Sequence, residues 1–385
     1  MSISADHNTS QTDIARTDRA AALSAQRDKT GALNAKFERL AFDLGDGDNG
    51  EFLSGWQCQN PFAGPLLDAV RRYADRLDHT RYSYFDTHAD LLEGILQHHT
   101  LIDGKRPDAV LCGCGTTALL FTWAAHLQSL GVEEVYYIPP LYITLQSALD
   151  RFGIRTIPVC DKQPYEPDFA LRLPEKPGAI LHLTDPVWFA GTPVPAFWIE
   201  TISEWQDRNG ATVFVDGSLQ YMPWEGVRHE ATAALRAHLT VRLVCPSKQL
   251  CTHGFRFSYM LVPAATLRAL AWTYTNIFGP APAASIAFAH AAIEAVSSGD
   301  IPRALMALAS ERYEMLIDGR IIETSIIPNC GYFIFARVLR GLPEGYLQID
   351  GSYFEQSGYP GYAKINLLSP AVRLLTPQVD DDGDR

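Results

Sequence analysis

Lys248 follows the apolar run Thr240–Val244 within Cys245-Pro246-Ser247-Lys248, and Arg256 comes eight residues later in Gly254-Phe255-Arg256. A lysine at the end of a buried strand, in a partly desolvated pocket, has a lowered pKa and can form a Schiff base. Asp216 closes a second apolar run, Thr212–Val215, and sets a carboxylate at the same kind of position. A third run, Ala109–Cys112, leads into Gly113-Cys114-Gly115-Thr116-Thr117-Ala118. Backbone N–H groups and hydroxyls at the start of a helix form an anion site suited to phosphate. The plain readings are a solvated lysine and an ordinary strand-to-helix turn.

The elements that must position these residues alternate along the chain. Apolar strands are expected at Ala109–Cys112, Val135–Ile138, Thr156–Val159, Ala179–Leu183, Thr212–Val215, Thr240–Val244 and Phe257–Val262. Helices are expected at Thr117–Leu130, Ile143–Phe152 and Phe197–Asn209. That alternation predicts an α/β fold: a mostly parallel sheet covered by helices on both faces, with ligands bound beyond the carboxyl ends of the strands. Two long helices, Ala283–Ser297 and Arg303–Ile317, then strands Tyr332–Val338 and Ala363–Leu368, suggest a smaller α+β domain. The expected organisation is a flexible arm over 1–35 and an N-terminal part of the small domain with a substrate-covering segment over 36–80. A large cofactor-binding domain over 81–280 comes next, then a small C-terminal domain over 281–376 and a disordered acidic tail over 377–385.

Composition sets outer bounds. A chain of 385 residues with 47% apolar residues has enough apolar surface to fold, in one large or two medium domains. The net charge of −12 gives no basic face for nucleic acid. No apolar run is long enough to span a membrane, and the polar N-terminus lacks the apolar core of a secretory signal. Seven cysteines without a CxxC pair read as reduced thiols of a cytoplasmic protein, and eleven scattered histidines give no zinc or other metal motif.

One cofactor needs the singled-out parts together. Pyridoxal 5'-phosphate requires a lysine, a carboxylate against its pyridine nitrogen and an anion site for its phosphate. Gly115-Thr116, Asp216, Lys248 and Arg256 supply them in order. The chain resembles the fold-type I pyridoxal-phosphate enzymes, in their class I/II aminotransferase branch, from about Phe42 to Leu368. The resemblance implies that Lys248 is the Schiff-base lysine and Asp216 the partner of the ring nitrogen. It implies phosphate contacts from Gly115, Thr116, Ser247 and Arg256, and stacking on the cofactor by Tyr142 in Pro140-Leu141-Tyr142. Tyr82 would reach the phosphate of a neighbouring subunit, so a homodimer with shared sites is implied. Lys364, in Gly361-Tyr362-Ala363-Lys364, falls where the family has an arginine for the substrate α-carboxylate. The plain reading of Lys364 is an exposed residue on a strand.

The departures bear on the reaction. Cys245 and Cys114 replace hydroxyl donors by weak thiol donors. Thr184-Asp185-Pro186-Val187-Trp188 lacks the asparagine that faces the cofactor's phenolic oxygen; Trp188, or Asp185 with a gap, stands there. Leu219 replaces a tyrosine aimed at the same oxygen, for which Gln220 or Tyr221 is a positional substitute. Trp56, in the covering segment, is a substrate contact or a packed side chain. The expected function is an aminotransferase-like enzyme of amino-acid metabolism or biosynthesis, acting on a small amine or amino acid. The alternatives are a specialised pyridoxal-phosphate lyase, cyclase, decarboxylase or oxidase of a biosynthetic pathway, and a non-catalytic descendant. A methyltransferase using S-adenosylmethionine is a further alternative, since Gly113–Ala118 also reads as a dinucleotide or methyltransferase glycine loop. Both glycine-loop readings lack the acidic residue required after the next strand, because Glu133 and Glu134 precede it.

Overall fold

The structure, a computed structural model, describes residues 20–28, 31–32, 51–226, 229–339, 346–351 and 358–375. The expected acidic tail and most of the N-terminal arm lie outside them. Residues 20–28 are helical, and the Gln26 side chain donates to the carbonyl of Ile154 and accepts from the amide of Thr156.

The apolar runs form a seven-stranded sheet. Its strands are β2 (Ala109–Gly113), β3 (Glu134–Tyr137), β4 (Arg155–Pro158), β5 (Ile180–Thr184), β6 (Thr212–Gly217), β7 (Thr240–Val244) and β8 (Ser258–Val262), after a two-residue β1 (Glu51–Phe52). The order across the sheet is β2-β8-β7-β6-β5-β3-β4, with β8 antiparallel to both of its neighbours and the other pairings parallel. Alternation along β6 shows how both faces are covered. Val213 and Val215 pack beneath the helix Ala196–Asn209, whereas Phe214 turns to the other face and stacks on Trp123 of the helix Thr116–Ser129, with ring centres 5.2 Å apart. Truncating a side chain buried like Phe214 costs about 3–5 kcal/mol.

The helix Ala196–Asn209 starts after Pro195 and stops at Gly210, whose left-handed φ of +56° suits glycine. Three helices were not legible in the sequence: Gly64–Ala74, Ala89–Ile102 and Ala264–Phe278. The helix Ala283–Ser298, expected in the C-terminal unit, instead buries Ile286, Phe288 and Ile293 in one core with Val110, Tyr259 and Leu261 of the large sheet. Leu66 and Val70 of Gly64–Ala74 join the same core.

A second, four-stranded antiparallel sheet has the order β12 (Ile349–Asp350), β13 (Tyr362–Asn366), β10 (Phe333–Val338), β9 (Ile322–Glu323). β1 pairs in parallel with β11 (Tyr346–Leu347). The core of this sheet takes in Leu53, Trp188 and Phe189, which ties the segments near residues 53 and 188 to it. Gly191 makes that closeness possible: a Cβ there would lie 2.6 Å from the carbonyl oxygen of Phe333. No described helix is long and apolar enough to cross a membrane.

Candidate functional site

The registers of the large sheet align the chemically interesting residues along one edge. Gly113 pairs with Ser258, Val244 with Tyr259 and Gly217, and Asp216 with Thr184. The segments leaving this edge are Cys114–Thr116, Asp185–Trp188, Cys245–Lys248 and, leading into β8, Arg256–Phe257. Parallel strands need crossovers, so every parallel strand delivers its carboxyl end to the same side.

At the first of these segments the chain turns through Gly115, with φ +86°, into the helix Thr116–Ser129. A Cβ on Gly115 would lie 2.5 Å from a terminal nitrogen of Arg256, so the guanidinium rests against the bare glycine. Arg256 is exposed and adopts a left-handed φ of +53°. Its Nη1 donates to the carbonyl of His253 at 3.3 Å. A guanidinium beside the amino end of a four-turn helix is an anion cradle.

Asp216 is buried at 3% exposure, and its Oδ1 accepts from the Ser218 amide at 3.1 Å and the Ser218 hydroxyl at 2.5 Å. Ser247 is buried beside Lys248. Its hydroxyl donates to the Phe257 carbonyl at 2.8 Å and accepts from the Phe257 amide at 3.2 Å, so it ties the Lys248 turn to the Arg256 segment. The Lys248 Nζ lies 5.3 Å from the ring centre of Tyr142 and 5.7 Å from that of Trp56.

Lys364 is the largest departure from an ordinary strand residue. It is 0% exposed on β13, which rules out the surface reading. Its Nζ lies 3.2 Å from the ring centre of Trp56, 3.9 Å from that of Phe333 and 5.6 Å from that of Trp188, and it has no hydrogen-bond partner among the described residues. Burial, and then the charge of nearby Lys248, lower its pKa well below the usual lysine value. Trp188 stacks on Trp56 with ring centres 5.7 Å apart, and Tyr142 meets both rings edge-on.

The positional substitutes are committed elsewhere. Asp185 accepts from the Val194 amide at 2.8 Å and from Gln220 Nε2 at 3.0 Å, and Gln220 Nε2 also donates to Thr232 at 2.7 Å. The Tyr221 hydroxyl donates to Asp103 at 3.0 Å and contacts Arg242, in a buried network with His99 and Tyr259. Tyr221 therefore does not replace the tyrosine displaced by Leu219. Tyr82 is 84% exposed. Gly115, Thr116, Asp216, Lys248 and Arg256 thus lie at one edge of the large sheet with Ser247 as a strut, ring contacts link Tyr142, Trp188 and Lys364 to Lys248, and Tyr82 is exposed. Trp56 and Phe333 complete the aromatic walls. Trp56 stood in the sequence as a packed residue or a substrate contact; Phe333 gave no signal, because its strand is apolar throughout.

No family model matches the chain, and no curated protein matches it significantly. Solved structures do. N-succinyldiaminopimelate aminotransferase of Mycobacterium tuberculosis superposes with a TM-score of 0.71 at 19% identity, over 89% of this chain and 96% of that one. Aspartate aminotransferase of Thermotoga maritima gives 0.72 at 16% identity, over 90% and 94%. YbdL of Escherichia coli, described with a methionine aminotransferase function, gives 0.69 at 15% identity, over 90% and 95%. At these identities the likeness establishes a shared fold across nearly the whole chain.

Proposed function

We propose that this chain, which has the aminotransferase fold, is a pyridoxal-phosphate-dependent aminotransferase-like enzyme acting on an amino acid or related amine. The observation that carries the reading is the convergence of Lys248, Asp216 and the Gly115–Arg256 cradle on one sheet edge. The donor set fits the group in each part: a buried carboxylate with a fixed oxygen, an amine facing aromatic rings, and a cationic cradle at a helix start. When bound, the cofactor supplies an aldehyde for Lys248 and an electron sink for bonds to the substrate's amine-bearing carbon.

The chain's own residues do the rest. Arg256 and the Thr116 end of its helix bind the phosphate. Asp216, with Ser218 holding one oxygen, would be the carboxylate partner of the cofactor's ring nitrogen. Tyr142 and Trp188 supply flat apolar walls and exclude water. Lys248 Nζ accepts and returns the substrate proton. Lys364 takes the place of an arginine for an acidic substrate group. Its single amine binds a carboxylate as a point charge, without the flat two-pronged fork. The exposed ring of Tyr82 supports a homodimer in which it completes the partner's site.

A second reading keeps the cofactor and changes the reaction to a lyase, cyclase, decarboxylase or oxidase. It is favoured by Lys364 at the arginine position and by the commitment of Asp185, Gln220 and Tyr221 to other partners. Incubating the purified protein with pyridoxal phosphate and a panel of amino acids plus 2-oxoglutarate separates the two. A new keto acid and glutamate support transamination; ammonia, carbon dioxide or a cyclised product supports the second reading.

A further inference from the structure

His88 sits at the start of the helix Ala89–Ile102 and Asp90 lies in its first turn. His290 lies in the helix Ala283–Ser298, 202 residues from His88 in the chain. The His290 Nε2 and the His88 Nδ1 face each other at 3.4 Å, with the two rings edge-on and their centres 5.4 Å apart. The His290 Nδ1 lies 3.7 Å from an Asp90 carboxylate oxygen. One ligand atom from each of the three side chains falls within 4.8 Å of the other two, and no other such group of histidine, cysteine or acidic side chains occurs among the described residues.

The spacing suits a shared ion better than direct bonding. An ordinary N–H hydrogen bond is about 2.7–3.2 Å long, whereas two nitrogens at about 2.0–2.1 Å from one tetrahedral zinc stand about 3.3–3.4 Å apart. His290 is also fixed in place. Its side chain is only 9% exposed, and its ring stacks on that of Tyr73 in the helix Gly64–Ala74, with centres 4.9 Å apart and planes 16° apart. Tyr73 is held in turn by a hydrogen bond from its hydroxyl to Glu294. Burial first, and then the charge of His88, lower the His290 pKa against the opposing charges of Asp90 and Glu294, which favours the neutral ring that a metal ligand must present. The Asp90 side chain is 78% exposed, so the carboxylate comes from the solvent side and water has a route to a fourth position. Two imidazoles and one carboxylate are zinc ligands, whereas magnesium and calcium take oxygen ligands.

We propose that His88, Asp90 and His290 bind a zinc ion, with water as its fourth ligand, and that this ion clamps the start of the helix Ala89–Ile102 to the helix Ala283–Ser298. The same two stretches of chain pair just ahead of the site, where the Ala281 amide donates to the Ser83 carbonyl at 2.8 Å. The ion extends that pairing to the helices themselves. No residue of the clamp belongs to the sheet edge that carries Lys248, so the zinc site goes beyond the cofactor reading and does not depend on it.

The test uses untagged, full-length protein, stripped with a chelator that is then removed, and zinc chloride as the probe. Calorimetric titration is expected to show one zinc bound per chain at micromolar concentrations. Zinc should also raise the midpoint of thermal unfolding, because the unfolded chain has no preformed site. Losing a group that merely supports a metal ligand costs about 10–100-fold in affinity, so losing a ligand should cost at least about tenfold. His88→Ala and Asp90→Asn are expected to weaken zinc binding by that much and to abolish the midpoint shift. Their side chains are half-buried and exposed, so both variants should fold as the wild type does; His290→Ala, which also removes the stack on Tyr73, is the supporting variant. Magnesium chloride at the same concentration should give neither binding nor shift. A wild-type protein that takes up no zinc, an affinity unchanged in His88→Ala and Asp90→Asn, or an equal response to magnesium would overturn the proposal. Each result is read from metal binding and unfolding, so it stands apart from the presence or absence of pyridoxal phosphate.

Discussion

The amine of Lys364, itself fully buried, lies 3.2 Å from the centre of the Trp56 ring in an aromatic box. A cation gains from the ring face, yet the group meets no hydrogen-bond acceptor among the described residues. Burial and the nearby Lys248 win, and the pKa falls well below that of a free lysine. Enclosure in this way disfavours the charged form of the amine, and under the proposed function a bound carboxylate would favour it.

The first prediction rests on that sign. A lysine with a lowered folded-state pKa weakens the fold below the unfolded pKa of about 10.4, because the unfolded chain binds the extra proton. That penalty shrinks as pH rises toward this value. Lys364→Met should raise the stability at pH 7 by on the order of 1 kcal/mol or more and give a smaller gain at pH 9–10, read by thermal denaturation. The same variant should raise the Michaelis constant for a carboxylate substrate while leaving cofactor affinity near its original value. Unchanged kinetics would remove Lys364 from the binding role.

Gly115 accepts the Arg256 guanidinium because it has no Cβ. Gly115→Ala would put a methyl 2.5 Å from that side chain, at a φ of +86° that disfavours alanine by about 1 kcal/mol. The expected result is weaker pyridoxal phosphate binding, by about tenfold or more, with the fold retained. Fluorescence titration of the purified variant measures it; wild-type affinity would show that the cradle is not the phosphate site.

Under the proposed function Asp216 carries the electronic role. Asp216→Asn keeps the shape and the Ser218 contacts but removes the charge. Turnover should fall by orders of magnitude while the visible spectrum still reports bound cofactor. Near-normal turnover in steady-state assays would assign the aspartate another task.

Away from the site, Asp103 and Arg242 form a buried pair at 2.9 Å, with His99 donating to the same carboxylate. Burial alone would raise the Asp103 pKa, but the His99 bond and the Arg242 charge outweigh it and lower it to about 2. Its contribution is present above the unfolded value of about 3.9 and is lost as pH falls toward 2. Asp103→Asn leaves Arg242 buried and unpaired and should cost about 3–5 kcal/mol at pH 7. The gap to wild type should narrow below pH 4 in urea titrations, and a pH-independent gap would refute the assignment.

The strand ends were legible because parallel strands buried on both faces read as apolar runs, and a polar or glycine residue that closes such a run stands out. Asp216, Lys248 and the Gly115 turn were found in that way, within four residues of where the strands end. The antiparallel sense of β8 was not legible, since Phe257–Val262 is as apolar as its parallel neighbours. The burial of Lys364 was hidden for a related reason. β13 is buried along both faces, so its polar residues fall on no alternating pattern, and the enclosing rings come from segments about 30, 180 and 310 residues away in the chain.

The central claim is that Lys248 carries pyridoxal phosphate. The most direct measurement is borohydride reduction of the protein incubated with the cofactor, followed by peptide mapping. The expected result is a visible band that borohydride abolishes, a phosphopyridoxyl group on the peptide containing Lys248, and no such group in Lys248→Ala. A label on Lys364 or another lysine, or no borohydride-sensitive band at saturating cofactor, would contradict it.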